Sequence, residues 1–231
     1  LVYERNEKYW GEKPQWTKIT ARPISNDGTR VAALKSGDVD LINFVPPADV
    51  KPLEGNSKVT LSKSSSTRLI YLHIDTDREY TPMVTGNNGE KIKNPYLDLR
   101  VRKAISKAIN REAIVARIME GLAIPASQML PDGYEGTSQN LKPEAFDPKG
   151  AKALLAEAGY PDGFKITIHG PNDRYVNDAE IAQAIAQMLT KVGIKTEVNT
   201  MPKAVYFGKA SALEFSLMLV GWATDTGEHS N

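Results

Sequence analysis

The chain has 231 residues, 41% of them hydrophobic and 25% charged, proportions of a globular chain long enough for one large domain or two small ones. Its 29 Lys and Arg nearly balance 28 Asp and Glu, so no broad field selects nucleic acid or an anionic membrane as the main partner. With no cysteine there is no disulfide scaffold, no zinc–thiolate site and no thiol nucleophile.

No stretch approaches the roughly 18 consecutive apolar residues of a membrane-spanning helix. The first residues, LVYERNEKYWGEKPQW (1–16), show no basic-then-apolar secretion signal. Starting at Leu1 in polar and aromatic text, the sequence reads as a fragment or a processed product.

Residues 17–22 (TKITAR) alternate and predict a short strand. Asp27 is placed to cap a helix through Val31, Leu34 and Lys35, which Gly37 stops. A second short strand is expected at Val39–Phe44, and Pro46-Pro47 opens a helix of one or two turns. Val59–Ser62 and Leu69–Ile74 are further strand candidates, the latter with Tyr71 and His73 on one face. Residues 77–95 are polar and turn-rich, a long surface loop of the kind that is functional or mobile.

Helical periodicity returns at Asp98, with Val101, Ile105 and Ala108 on one stripe. Arg100, Lys103, Lys107 and Arg111 fall on the other side, and in a chain of near-zero net charge they read better as a solvated face than as a nucleic-acid patch. Pro125 and PDGYEG (131–136) mark an irregular connection. Asp147-Pro148 starts a helix whose buried stripe is Ala151, Leu154, Leu155 and Ala158, ended by Gly159. The strand Phe164–Ile168 follows. Asn177 with Glu180 resembles a capping box for a helix bearing Ile181, Ile185, Met188, Leu189 and Val192. Ile194–Val198, a short helix at Pro202–Ser211 and the apolar strand Phe215–Gly221 complete the order. This alternation predicts an α/β fold with a mostly parallel sheet flanked by helices.

In such sheets ligands bind beyond the carboxyl ends of the strands. Two loops leave such ends, HGPNDRYVND after Ile168 and GWATDTGEHSN after Val220. Arg174 offers a rigid fork for a carboxylate and Asp225 a partner for an ammonium, with Trp222 as an apolar wall, so the set suits a zwitterion. The alternative is that Arg174 and Asp225 are solvated loop residues and Trp222 is core. Asp225, Glu228 and His229 offer metal ligands within five residues, but without a second ligand group a polar loop is the better reading. No nucleophile elbow, zinc-protease motif, phosphate loop or dinucleotide fingerprint is present, and three histidines have no local triad partners. Neither a catalytic residue nor a cofactor is expected.

Five segments, in order, carry a family resemblance: NEKYWGEKPQWTKI (6–19), TRVAALKSGDVDLINFVPP (29–47), NPYLDLRVRKAISKAINREAIV (94–115), FDPKGAKALLAEAGYPDGF (146–164) and FSLMLVGWATD (215–225). The chain resembles the dipeptide/oligopeptide-type solute-binding proteins of ABC importers, bacterial extracellular family 5. That resemblance implies one lobe of a type II periplasmic-binding-protein clamp, without catalysis, which closes on a short peptide or related small polar solute. It further implies delivery to a membrane permease, a monomer, and a periplasmic or extracellular location, with or without a lipid anchor. On this reading 1–22 is the segment leaving the first lobe, 23–221 the second ligand-binding lobe and 222–231 the return crossing. Gly221, Trp222 and Asp225 match the family's G-W-x-x-D segment, in which the aspartate holds the peptide amino group. Arg174 takes the place of the arginine that holds the carboxylate. The family also contains nickel, opine, glutathione and sugar binders, and GEHSN (227–231) departs from its usual Asp-Pro. A module of the same fold that senses or interacts without transport is the alternative from another class.

Overall fold

The computed structural model describes residues 1–224. The chain opens with a two-stranded antiparallel ribbon, β1 (Val2–Glu4) and β2 (Lys18–Thr20), which pairs Val2 with Thr20. Two helices follow, α1 (Asp27–Ser36) and α2 (Pro47–Glu54). The cap of α1 is Asn26 rather than Asp27: its side chain accepts from the Thr29 amide, while the Asp27 carboxylate pairs with Arg30. Proline opens α2 at its first position, where the missing N–H costs nothing.

Neither Val39–Phe44 nor Val59–Ser62 is a strand. Both have apolar alternation, but no neighbouring strand edge takes up their backbone groups. Leu41 and Phe44 instead stand 81% and 71% exposed, and Phe44 turns the chain at a φ of 53°. Alternation without a hydrogen-bonding partner does not make a strand.

The main sheet is mixed. β3 (Leu69–Ile74) runs antiparallel to β7 (Leu217–Trp222), with Leu69 opposite Trp222 and Ile74 opposite Leu217. β7 lies parallel to β5 (Lys165–Pro171), which lies parallel to β6 (Lys195–Met201) from Lys165↔Lys195 to Pro171↔Met201. The two-residue strand β4 (Val84–Thr85) pairs antiparallel with the start of β5. Three contiguous strands are thus parallel, as the strand–helix order predicts, and α6 (Asp178–Lys191) and α7 (Lys203–Ser211) make the crossovers. Because β5→β6 and β6→β7 travel in opposite directions across the sheet, right-handed crossovers put α6 and α7 on opposite faces.

Side-chain alternation agrees with that arrangement. On one face Ile166, Ile168, Leu217 and Leu219 meet Ile181, Ile185 and Leu189 of α6 in one apolar cluster. The cluster also takes Val101, Ala104, Ile105 and Ala108 of α3 (Leu99–Ala108), and Ala151 and Leu155 of α5 (Pro148–Glu157). On the other face His169 stacks on Phe215 with ring centroids 4.1 Å apart, and Tyr206 of α7 lies 5.7 Å beyond. Burying one such large side chain contributes about 1.5–3 kcal/mol. Between α3 and α5 lies a short helix, α4 (Arg111–Arg117), capped by the Asn110 side chain on the Ala113 amide.

Two turns touch closely at the amino ends of β5 and β6. A Cβ on Gly163, whose φ is +70°, would sit 1.9 Å from the Gly193 carbonyl oxygen, so only glycine fits. Of the basic residues on α3 and just past it, Arg100 pairs with Asp98 at 2.6 Å, Lys107 with Glu144 at 2.8 Å, and Arg111 donates to Ser106, while Lys103 is exposed. Among the described residues no helix is long and apolar enough to cross a membrane.

Candidate functional site

Because β5 and β7 are parallel, the loops that follow them emerge at one edge of the sheet. The loop after β5 is built for rigidity. Asp178, buried at the first turn of α6, accepts the amides of Arg174 and Tyr175 on one carboxylate oxygen at 3.0 and 2.9 Å, and the Ala179 amide on the other. Burial raises its pKa, and the three amide donors oppose that rise. Asn177 lies at the helix start with a φ of 52° and caps nothing. Its side-chain amide donates instead to the Ile118 carbonyl at 2.7 Å, so the expected capping box does not form. Asp173 accepts the Lys203 amide at 2.7 Å, which ties the loop to the start of α7.

Tyr175 connects this loop to β7. Its hydroxyl donates to the Gly221 carbonyl at 3.2 Å. A Cβ at position 221 would come within 2.6 Å of the Tyr175 ring and of Ile70 Cδ1, so the glycine is what lets the ring approach the strand. Trp222, next in the chain, is 53% exposed, on the solvent side rather than in the core. The Arg174 guanidinium is exposed, with Cζ 5.6 Å from the Tyr175 ring centroid, a cation–π distance. Arg174, Gly221 and Trp222 therefore share one edge, joined through Tyr175. Asp225, with Glu228 and His229, lies outside the described residues.

Sequence reasoning passed over three residues here. Tyr175 and Asp178 sit inside the YVND stretch of that loop, where an acid directly after Asn177 was the available signal. Arg68 precedes β3, with Cζ 5.9 Å from the same ring. Its position at this edge follows only from the antiparallel β3–β7 pairing, which no local pattern announces. His169 is buried, and burial holds its pKa below the usual imidazole value; His73 is exposed on β3. Among the described residues no group of three potential ligands gathers to hold a metal ion.

An α/β lobe with a charged and aromatic set at the carboxyl edge of its sheet has the architecture of a binding module. The whole chain, residues 1–231, matches the model of the bacterial extracellular solute-binding proteins, family 5 middle, and the chain belongs to that family. It is 27% identical over its full length to heme-binding protein A of Haemophilus influenzae, covering 40% of that protein. It is 30% identical over 97% of its length to the glutathione-binding protein GsiB of Pectobacterium atrosepticum, covering 42% of it. Among solved structures it is similar to the periplasmic binding protein DppA of Helicobacter pylori in complex with the peptide STSA, at a TM-score of 0.82 and 30% identity. That match covers 97% of this chain and 40% of the other. The chain thus spans about two fifths of the length of the relatives it matches.

Proposed function

We propose that the protein containing this chain is the solute-binding component of an ABC importer. It captures a short peptide or related small polar solute between two lobes, without catalysis, and hands it to a membrane permease. It works as a monomer in the periplasm or outside the cell. The observation that carries this reading is the exposed Arg174 guanidinium, on a loop fixed by Asp178 and Asp173 and at the same sheet edge as half-exposed Trp222. A guanidinium fork on a tethered loop at the sheet edge suits a ligand carboxylate, and an apolar indole at the same edge suits the ligand's body. Asp225, three residues past Trp222, supplies the charge for the ligand's amino end. The ligands of the relatives named above, heme, glutathione and a peptide, support an organic solute bearing carboxylates.

Titration calorimetry on the full-length protein with a panel of di- to tetrapeptides tests the reading. Binding of at least one peptide with free ends is expected. Asp225→Asn should weaken it by about tenfold or more, the size of a lost charge-assisted hydrogen bond. An unchanged affinity overturns the amine-anchor role, and no heat with any peptide, amino acid, sugar or nickel complex overturns the transport role.

A further inference from the structure

The edge carries a second guanidinium that an amine–carboxylate pair leaves unused. β3 runs antiparallel to β7 with Leu69 opposite Trp222, so Arg68, one residue earlier, stands where β5 and β7 end. Its Cζ lies 5.9 Å from the Tyr175 centroid, and that of Arg174 lies 5.6 Å from the same point. Both side chains are exposed, and among the described residues neither forms an ion pair with a carboxylate. Elsewhere Arg5, Arg30, Arg78 and Arg100 each hold a carboxylate. The loop's own acids are committed to backbone amides, Asp173 to Lys203 and Asp178 to Arg174, Tyr175 and Ala179. Two like charges around one ring repel, and an anion close to both relieves that repulsion.

We infer that Arg68 is a specificity-determining residue of the site. With Arg174 on one carboxylate, Arg68 takes a second, so the site prefers ligands with an additional acidic group over their uncharged isosteres. This inference rests on the ligand-site reading above, and its test separates the two. Calorimetry on the full-length protein compares Ala-Glu with Ala-Gln, and Ala-Ala-Ala-Glu with Ala-Ala-Ala-Gln. The expected result is a preference of about tenfold for the glutamate peptide in at least one pair, as for one charge-assisted contact. Arg68→Gln should bring that ratio close to one, and Arg68→Lys, which keeps the charge but not the fork, should retain part of it. A wild-type ratio near one, or a ratio that Arg68→Gln leaves unchanged, overturns the role of Arg68. Silence of both pairs overturns it as well, while other peptides of the panel bind. Silence of the whole panel overturns the ligand site itself.

Discussion

Asp98 caps α3 and holds a guanidinium at the same time. One carboxylate oxygen accepts the Arg100 amide at 2.8 Å, and the other lies 2.6 Å from the Arg100 guanidinium. The Arg100 side chain first, and then its amide, lower the Asp98 pKa from 3.8 to about 2. A carboxylate with a pKa lower in the fold than in the unfolded chain stabilises above the unfolded value and loses that effect as pH falls through the folded one. Asp98→Asn should therefore melt below the wild type at pH 5, and the gap should shrink steadily between pH 4 and pH 2. Thermal melts followed by circular dichroism across that range check it; a gap that stays constant would remove the ionic part of the cap. At this scale the sequence was legible where one side chain does one local job, as at Asp147 and Gly37. It was opaque where neighbours trade roles, as when Asn26 caps in place of Asp27. Asn177 likewise reaches across to Ile118 while Asp178 folds back on its own loop.

Among the elements, the segment between β3 and α3 departs furthest from a surface loop. Residues 77–95 do expose many polar groups, yet Thr81, Val84 and Asn94 are buried and β4 pairs with β5. A polar staple explains the anchoring. The Asp75 carboxylate accepts from Thr81, from the Arg78 side chain at 2.6 Å and from the amides of Asp77 and Arg78. Arg78 reaches on to the carbonyls of Leu213 and Phe215, both at 2.8 Å, and the Asn94 side chain donates to the carbonyls of Asp75 and Arg78. Burial alone would raise the Asp75 pKa; the bonds from Thr81, Arg78 and the backbone outweigh it and hold the carboxyl below its usual value. Arg78→Ala should cost about 2–3 kcal/mol, since it strips two carbonyls and a largely buried carboxylate of a charged partner. Urea denaturation measures that loss, and a change below about 0.5 kcal/mol would show that water replaces the staple. None of this is periodic, so patterning could not find it: partners at 75, 78, 81, 94, 213 and 215 meet only after the strands have paired. Long amphipathic elements such as α3, α5 and α6 announce themselves, whereas the two-residue β4 and the ribbon of β1 and β2 exist because of their neighbours.

Across the molecule, the main apolar cluster is drawn from β3 onward. Its fully buried members run from Val84 to Leu219, with Ile70, Leu72 and Ile74 packed against them. Val31, Ala33, Val50 and Leu53 are buried outside that cluster, and β1 and β2 are exposed along their length. The stretch 59–68 between the two parts has no regular structure, and its lysine neighbourhood is accessible. Brief trypsin treatment of the 231-residue chain should therefore cut first after Lys58 or Lys63 and leave a resistant product beginning at Val59 or Ser64. Intact-mass spectrometry reads this directly; first cuts within 99–222 would show that the cluster does not hold as a unit.

The pairing of Leu69 with Trp222 has one more implication. The chain enters the clustered part and departs from it side by side, on two strands already bonded to each other. Everything between is a closed excursion, a bead strung on a doubled thread. Such a bead can lengthen or trade its surface loops without moving its two points of attachment. The two points of attachment also lie at the edge that carries Arg68, Tyr175 and Trp222.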